Sequence, residues 1–201
     1  LWVDSPGGSD LLAGLWADGR IEAVDDAGMV TVGVEGVSLQ AQYQRGGLLR
    51  GMVLDPDGAP VADARVYPPS GRDDTRSAAD GSFSIALPPG DHSFYVEAPE
   101  TGDLVGGTWL ADDQSLGEDD RGIVTVGGDL SVSPASITAR LVMGAAVEGT
   151  VLDADGEAAS DVTVYVAGRQ SVTDAQGRYR IGGIAPGEHE VEVRPTALYQ
   201  V

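Results

Sequence analysis

Short alternations of apolar and polar residues run along this chain, and no helical period competes with them. Phe83, Ile85 and Leu87 alternate with Ser82, Ser84 and Ala86, the pattern of a strand with one face buried. Gly51 to Leu54 is a β-propensity run ended by Asp55-Pro56-Asp57-Gly58, with proline and glycine where a turn accepts them. Arg65 to Tyr67 is stopped by Pro68-Pro69-Ser70-Gly71, and Pro88-Pro89-Gly90 turns the chain before Ser93 to Glu97 returns it. Ile123 to Val126 and Ile137 to Leu141 follow. Roughly seven strands in about 95 residues, at a spacing of about 8 to 12, is the count of a β-sandwich. The predicted class is all-β.

The pattern also repeats. Gly51-Met52-Val53-Leu54-Asp55-Pro56-Asp57-Gly58 returns 98 residues later as Gly149-Thr150-Val151-Leu152-Asp153-Ala154-Asp155-Gly156, and Val66-Tyr67 as Val164-Tyr165. Gly81-Ser82-Phe83-Ser84-Ile85 returns after 96 residues as Gly177-Arg178-Tyr179-Arg180-Ile181, and Pro89-Gly90-Asp91-His92 after 97 as Pro186-Gly187-Glu188-His189. Earlier segments repeat too. Asp10 to Trp16 matches Asp103 to Trp109 at an offset of 93, and Gly28-Met29-Val30-Thr31-Val32-Gly33 matches Gly122-Ile123-Val124-Thr125-Val126-Gly127 at 94. A period of 93 to 98 residues in a chain of 201 means two periods cut out of phase.

The run Gly-x-Val-x-Asp-x-x-Gly-x-Pro-Val, then Ala-x-Val, Asp-Gly-x-Phe-x-Ile and Leu-Pro-Pro-Gly stands here at Gly51 to Val61, Ala64 to Val66, Asp80 to Ile85 and Leu87 to Gly90. It resembles the carboxypeptidase regulatory-like family, whose members are transthyretin-like, immunoglobulin-like β-sandwiches related to the B-type repeats of collagen adhesins. The second copy is looser: Ala158-Ala159 replaces Ala59-Pro60, and Gly183-Ile184-Ala185-Pro186-Gly187 covers Leu-Pro-Pro-Gly. The resemblance implies tandem β-sandwich repeats in a rod-like array. It also sets their phase: residues 1–46 as the second half of a preceding sandwich, 47–141 as a complete one, and 142–201 as the first half of a following one. Hardly any linker separates them at Gly46-Gly47-Leu48 or Leu141-Val142-Met143-Gly144-Ala145, which restricts interdomain freedom. Two accounts of the half-domains compete. Either the chain is cut from a longer repeat protein, or neighbouring copies complete each other by strand addition into a filament.

Composition narrows the function. A content of 42% apolar residues and a mean hydropathy of −0.06 argue for a folded chain despite 29 glycines and 11 prolines. The net charge of −20 repels phosphate backbones, so nucleic acid is not an expected partner. No apolar run reaches the roughly 18 residues of a membrane span. Cysteine, lysine and asparagine are all absent, which excludes disulfides, thiolate metal sites, lysine Schiff bases and Asn-linked glycans. The absence of lysine and asparagine needs no more than GC-rich codon usage. It also excludes the Lys–Asn isopeptide crosslink that the resemblance to collagen-adhesin repeats would imply. The opening Leu1-Trp2-Val3 carries neither initiator methionine nor signal peptide, and an excerpt or mature fragment is expected.

The candidate chemistry is sparse. His92 and His189 hold the same repeat position and are expected to be structural rather than a catalytic pair. No Ser-His-Asp or His-Glu-x-x-His arrangement is present, so no enzymatic activity is expected. Asp55-Pro56-Asp57-Gly58 and Asp153-Ala154-Asp155-Gly156 open like calcium loops, but Val66 and Val164 stand where an EF-hand needs its twelfth-position glutamate. Turn aspartates bonded to their own backbone account for both. The better metal candidate is the acidic set Asp112, Asp113, Glu118, Asp119 and Asp120, with calcium as the candidate cation, weighed against a solvated loop. Trp109 and its repeat mate Trp16 are either core tryptophans or, for Trp109, a contact for a carbohydrate or protein ligand.

The expected function is a non-catalytic, extracellular structural repeat on a bacterial cell surface, a stiff stalk or filament whose partners are adjoining repeats or neighbouring copies. The alternatives are a carbohydrate- or protein-binding adhesion module, with Trp109 as the contact, and the accessory domain of a secreted enzyme.

Overall fold

The computed structural model describes residues 2–4, 6–17, 20–22, 29–69, 74–110, 116–117 and 121–195. They form strands and turns with no helix among them, so the chain is all-β as its alternation predicts. It divides into two units, one of Leu1–Glu97 with Gly106–Leu141 and the other of Ala98–Val105 with Val142–Val201.

The first unit is built around the strand Gly47–Leu54. Leu49, Gly51 and Val53 face the core while Arg50 and Met52 face out, the period of two made visible. This strand pairs antiparallel with Ser82–Leu87 and parallel with Ser136–Arg140. A second sheet pairs Arg65–Tyr67 with Thr75–Arg76 and Tyr95–Glu97, and Gly107–Trp109 extends it to Leu116–Gly117. A third joins Gly90–His92 to Val124–Val126 and Val132–Ser133. Between them lie Leu49, Val53, Val66, Phe94, Val124, Ala139 and Leu141, all fully buried. Each large side chain among these contributes about 1.5–3 kcal/mol by leaving water.

Gly51 is required by its neighbours. A Cβ there would stand 2.4 Å from Phe83 Cζ and 2.6 Å from the Ile137 carbonyl oxygen. The bare backbone lets the Phe83 ring lie across the strand. Gly149 stands in the same relation to Tyr179, where an added Cβ would lie 2.7 Å from the hydroxyl oxygen.

In the second unit Ala145–Thr150 pairs with Arg178–Ile184, and Val162–Val166 lies between Arg169–Val172 and Val191–Pro195. Its core is smaller: Val164, Val166, Ile181 and Ile184, with Val147, Val151 and Tyr179 packed against them. Residues 98–105 group with this unit because Leu104–Val105 pairs with Val142–Met143. The Arg169 guanidinium secures them by donating to the carbonyls of Pro99 (3.3 Å), Glu100 (3.2 Å) and Leu104 (3.0 Å).

Local geometry at repeat-equivalent positions coincides. Asp55 Oδ1 accepts the N–H groups of Asp57 (2.9 Å) and Ala59 (2.8 Å), and Asp153 Oδ1 accepts those of Asp155 (3.0 Å) and Glu157 (2.9 Å). Gly58 and Gly156 follow at φ 87° and 86°. A buried hydroxyl clips each unit further on. Ser77 Oγ donates to the Val61 carbonyl (2.7 Å) and accepts the Ala64 N–H (2.9 Å). Thr173 Oγ1 does the same with Ala159 (2.7 Å) and Val162 (3.0 Å).

Replacing Ser77 by alanine leaves the buried Ala64 N–H and one Val61 lone pair without their partner. Denaturant unfolding of Ser77→Ala is therefore expected to show a loss of about 1–3 kcal/mol, with Ser77→Thr, which carries the hydroxyl found at position 173, recovering most of it. Equal stability of Ser77→Ala and the natural chain would show that the clip contributes nothing.

Candidate functional site

The two histidines brace turns in separate units. His92 Nε2 bonds the Pro88 carbonyl oxygen at 2.8 Å, and His189 Nε2 bonds that of Ala185 at 2.6 Å. Each ring spans the Pro-Gly turn that precedes it. The turn aspartates Asp55 and Asp153 use their carboxylates on backbone N–H groups, as the sequence implies.

Other carboxylates are held ionised by similar local bonds. The Ser82 hydroxyl (2.6 Å) and then the Ser82 N–H (3.0 Å) keep Asp80 below the usual carboxylate range. Asp129 is lowered by Ser131 in the same way. Asp103 is lowered chiefly by the hydrogen bond from Arg180 (2.7 Å), whose Nε also donates to Glu148 (2.9 Å). These are exposed or edge-of-sheet pairs, and each fastens one loop or strand.

The acidic set Asp112, Asp113, Glu118, Asp119 and Asp120 lies outside the described residues. Among the described residues no three His, Cys, Asp or Glu side chains gather to hold a metal. Trp109 is 3% exposed and its indole N–H donates to the Thr138 carbonyl at 3.0 Å, so it offers no ring face to a ligand. Its position fills the core and ties the second sheet of the first unit to the Ser136–Arg140 strand. The backbone of Trp16 lies in the strand Gly14–Ala17.

Two surface features were not singled out by the sequence. On the second sheet Tyr67 and Tyr95 stand opposite each other in register and stack with centroids 5.7 Å apart. Arg65 lies 4.7 Å over Tyr67 and Arg121 lies 5.7 Å from Tyr95. Burial first, then the hydrogen bond to Glu97 (2.8 Å), raises the Tyr67 hydroxyl above its ordinary pKa. The ring faces are covered by each other and by guanidinium groups, which makes the pair a strut of the sheet.

The other feature is a groove of about 720 Å³ over the outer face of the sheet centred on Gly47–Leu54. Arg50 stands at its centre, in register with Ser84 on one neighbouring strand and Ser136 on the other. Met52, Ser82, Thr138 and Arg76 also line it, and Gly7 and Gly8 border it. Among the described residues the lining holds two guanidinium groups, several hydroxyls and no carboxylate, in a chain of net charge −20. Arg76 is engaged by Asp63 at 3.0 Å, whereas Arg50 meets no carboxylate among the described residues. The groove can receive an anionic or hydroxyl-rich ligand by charge-assisted hydrogen bonds. Arg50 and Ser84 belong to an alternation visible in the sequence, but Ser136 joins them only through a parallel pairing between strands far apart in the chain.

No helix of the described residues is long and apolar enough to cross a membrane. No curated protein matches the chain. Among solved structures, the streptococcal ancillary pilin aligns at 12% identity and a TM-score of 0.36, covering 100% of this chain and 68% of that one. The TIE protein of Bacillus anthracis aligns at 17% identity and TM-score 0.31, covering 76% and 32% respectively. A DUF3823 family protein from Bacteroides ovatus aligns at 13% identity and TM-score 0.27, covering 76% and 82%. Scores of this size establish no common arrangement. The family match is decisive: the carboxypeptidase regulatory-like domain matches residues 49–117 and 146–200, more than half of the chain and both units. The chain belongs to the carboxypeptidase regulatory-like family.

Proposed function

We propose that this chain is a non-catalytic, extracellular structural repeat of a bacterial surface stalk or filament, spacing or carrying other domains. The observation that carries this reading is how two strands of the first unit are joined. Gly47–Leu54 and the unit's last strand, Ser136–Arg140, run parallel and pair over five positions, from Ser136 opposite Arg50 to Arg140 opposite Leu54. The Leu141 N–H then donates to the Leu54 carbonyl at 2.8 Å. Tension applied just before Gly47 and just after Arg140 pulls these strands along their length in opposite directions. The whole ladder then resists together in shear, instead of parting one bond at a time. The acidic, lysine-free composition keeps like segments soluble and mutually repelling.

Single-molecule pulling tests this reading, and the cysteine-free chain simplifies the attachment. With handles on Arg45→Cys and Met143→Cys, the first unit is expected to unfold at several times the force needed for the second unit, pulled from Met143→Cys and Arg194→Cys. Thr138→Pro, which interrupts the parallel ladder, is expected to remove most of the difference. Equal forces for the two units would contradict the reading.

The Arg50 groove favours a second reading, an adhesion module that takes a carboxylate-bearing carbohydrate or protein ligand. A uronic-acid polymer serves as the probe. On this reading the natural chain binds it at low salt, and Arg50→Ala lowers the affinity at least tenfold without moving the thermal midpoint. Binding unchanged by Arg50→Ala, or absent from the natural chain, counts against it.

A further inference from the structure

The chain leaves the first unit and comes back to it before leaving for good. Residues 98–105 stand between Tyr95–Glu97 and Gly107–Trp109, two strands that pair with each other in the first unit, yet they belong to the second. There Leu104 and Val105 pair with Met143 and Val142, and the Gly144 N–H donates to the Asp103 carbonyl at 2.7 Å. Arg180 Nη2 donates to the Asp103 carboxylate at 2.7 Å, and Arg169 to the carbonyls of Pro99, Glu100 and Leu104. The strand Arg178–Ile184 makes room for this segment. A Cβ on Gly182 would stand 2.7 Å from the Gly102 carbonyl oxygen, and one on Gly183 2.6 Å from that of Leu104.

The same fastening stands one repeat earlier, within the first unit. Leu11 bridges Arg45 as Leu104 pairs with Met143, and the Leu12 N–H donates to the Gln44 carbonyl at 2.9 Å. The Gly46 N–H donates to the Asp10 carbonyl at 2.7 Å, as that of Gly144 does to Asp103. The offsets are 93 residues on one side and 98 on the other, those of the repeat itself. An ion pair between Arg45 and Asp10 answers the one between Arg180 and Asp103. The fastening is therefore a property of the repeat. In each copy it closes part of the chain into a loop, residues 12–44 in one and 105–142 in the other.

We infer that residues 98–105 are a clasp that carries tension past the tail of the first unit. When the parallel ladder gives way, the pairing of Leu104 with Met143 and the two arginines still hold Asp103 in the second unit. Force then runs from Asp103 directly into that unit, and residues 105–142 stay slack. The first unit lengthens in two stages, and the second stage is reached only when the clasp itself parts. A stalk built this way yields a limited length under a sudden load, and its ladder strand Ser136–Arg140 stays unstretched and ready to pair again.

This inference rests on the force-resisting reading, and pulling between Arg45→Cys and Met143→Cys separates the two. The force of the first event tests the ladder, and its length tests the clasp. With the clasp closed, opening frees the 58 residues from Gly46 to Asp103, a gain of about 200 Å at roughly 3.5 Å per residue. The 40 residues from Leu104 to Met143 follow in a separate event of about 140 Å. Replacing Arg169 and Arg180 together by alanine is expected to merge the two into one gain of about 340 Å. A disulfide between Val105→Cys and Val142→Cys, which stand opposite each other, is formed before the handles are attached. It is expected to keep the first gain and abolish the second. A single gain of about 340 Å without the disulfide, which the disulfide then shortens, overturns the clasp whatever the force. So does a folded double variant that still opens in two stages. The disulfide comparison decides even where the double variant loses its fold.

Discussion

The parallel pairing of Gly47–Leu54 with Ser136–Arg140 is the constraint on which the first unit depends. It brings together strands separated by more than eighty residues, so its loop-closure cost is met only when the whole sandwich is assembled. Once formed, it seats the buried Ile137 beside Gly51 and Ala139 beside Val53 and gives the Trp109 indole its acceptor at Thr138. It also places Ser136 beside Arg50 and so creates the groove. Core, tryptophan and surface site therefore stand or fall together.

The second unit shows the same chain chemistry without that closure. Its turns, its hydroxyl clip and its histidine brace reproduce those of the first unit, because each is local to a few residues. Its core does not. Val147 and Val151 are only partly buried where Leu49 and Val53 are fully so, and Val191 and Val193 stay half exposed. The half of such a valine that stays exposed forgoes about 0.7 kcal/mol, roughly half of what full burial contributes.

What the sequence revealed follows the same division. The strands Ser82–Leu87 and Val124–Val126, the Asp-x-Asp-Gly turns and the all-β class were legible, because period-two alternation and turn chemistry are written in neighbouring residues. The Ser77 and Thr173 clips were not: a serine or threonine between strands is unremarkable until two distant backbone groups converge on it. The grouping of Ala98–Val105 with the second unit depends on Leu104 meeting Met143, again a distant pairing. Trp109 was weighed as a ligand contact because tryptophan suits both roles, and burial alone decides between them. The groove was hidden because its positive character is a property of register, with Arg50 flanked by hydroxyls from two other strands while carboxylates dominate elsewhere.

The central claim is that the parallel ladder of Gly47–Leu54 and Ser136–Arg140 holds the first unit together. Site-resolved amide hydrogen exchange tests it most directly, comparing Leu49–Leu54 with Val147–Leu152 in the natural chain and in Thr138→Pro. The account predicts strong protection of the first segment in the natural chain, lost in Thr138→Pro, and protection of the second that the substitution leaves unchanged. Protection of Leu49–Leu54 that survives Thr138→Pro unchanged would contradict it.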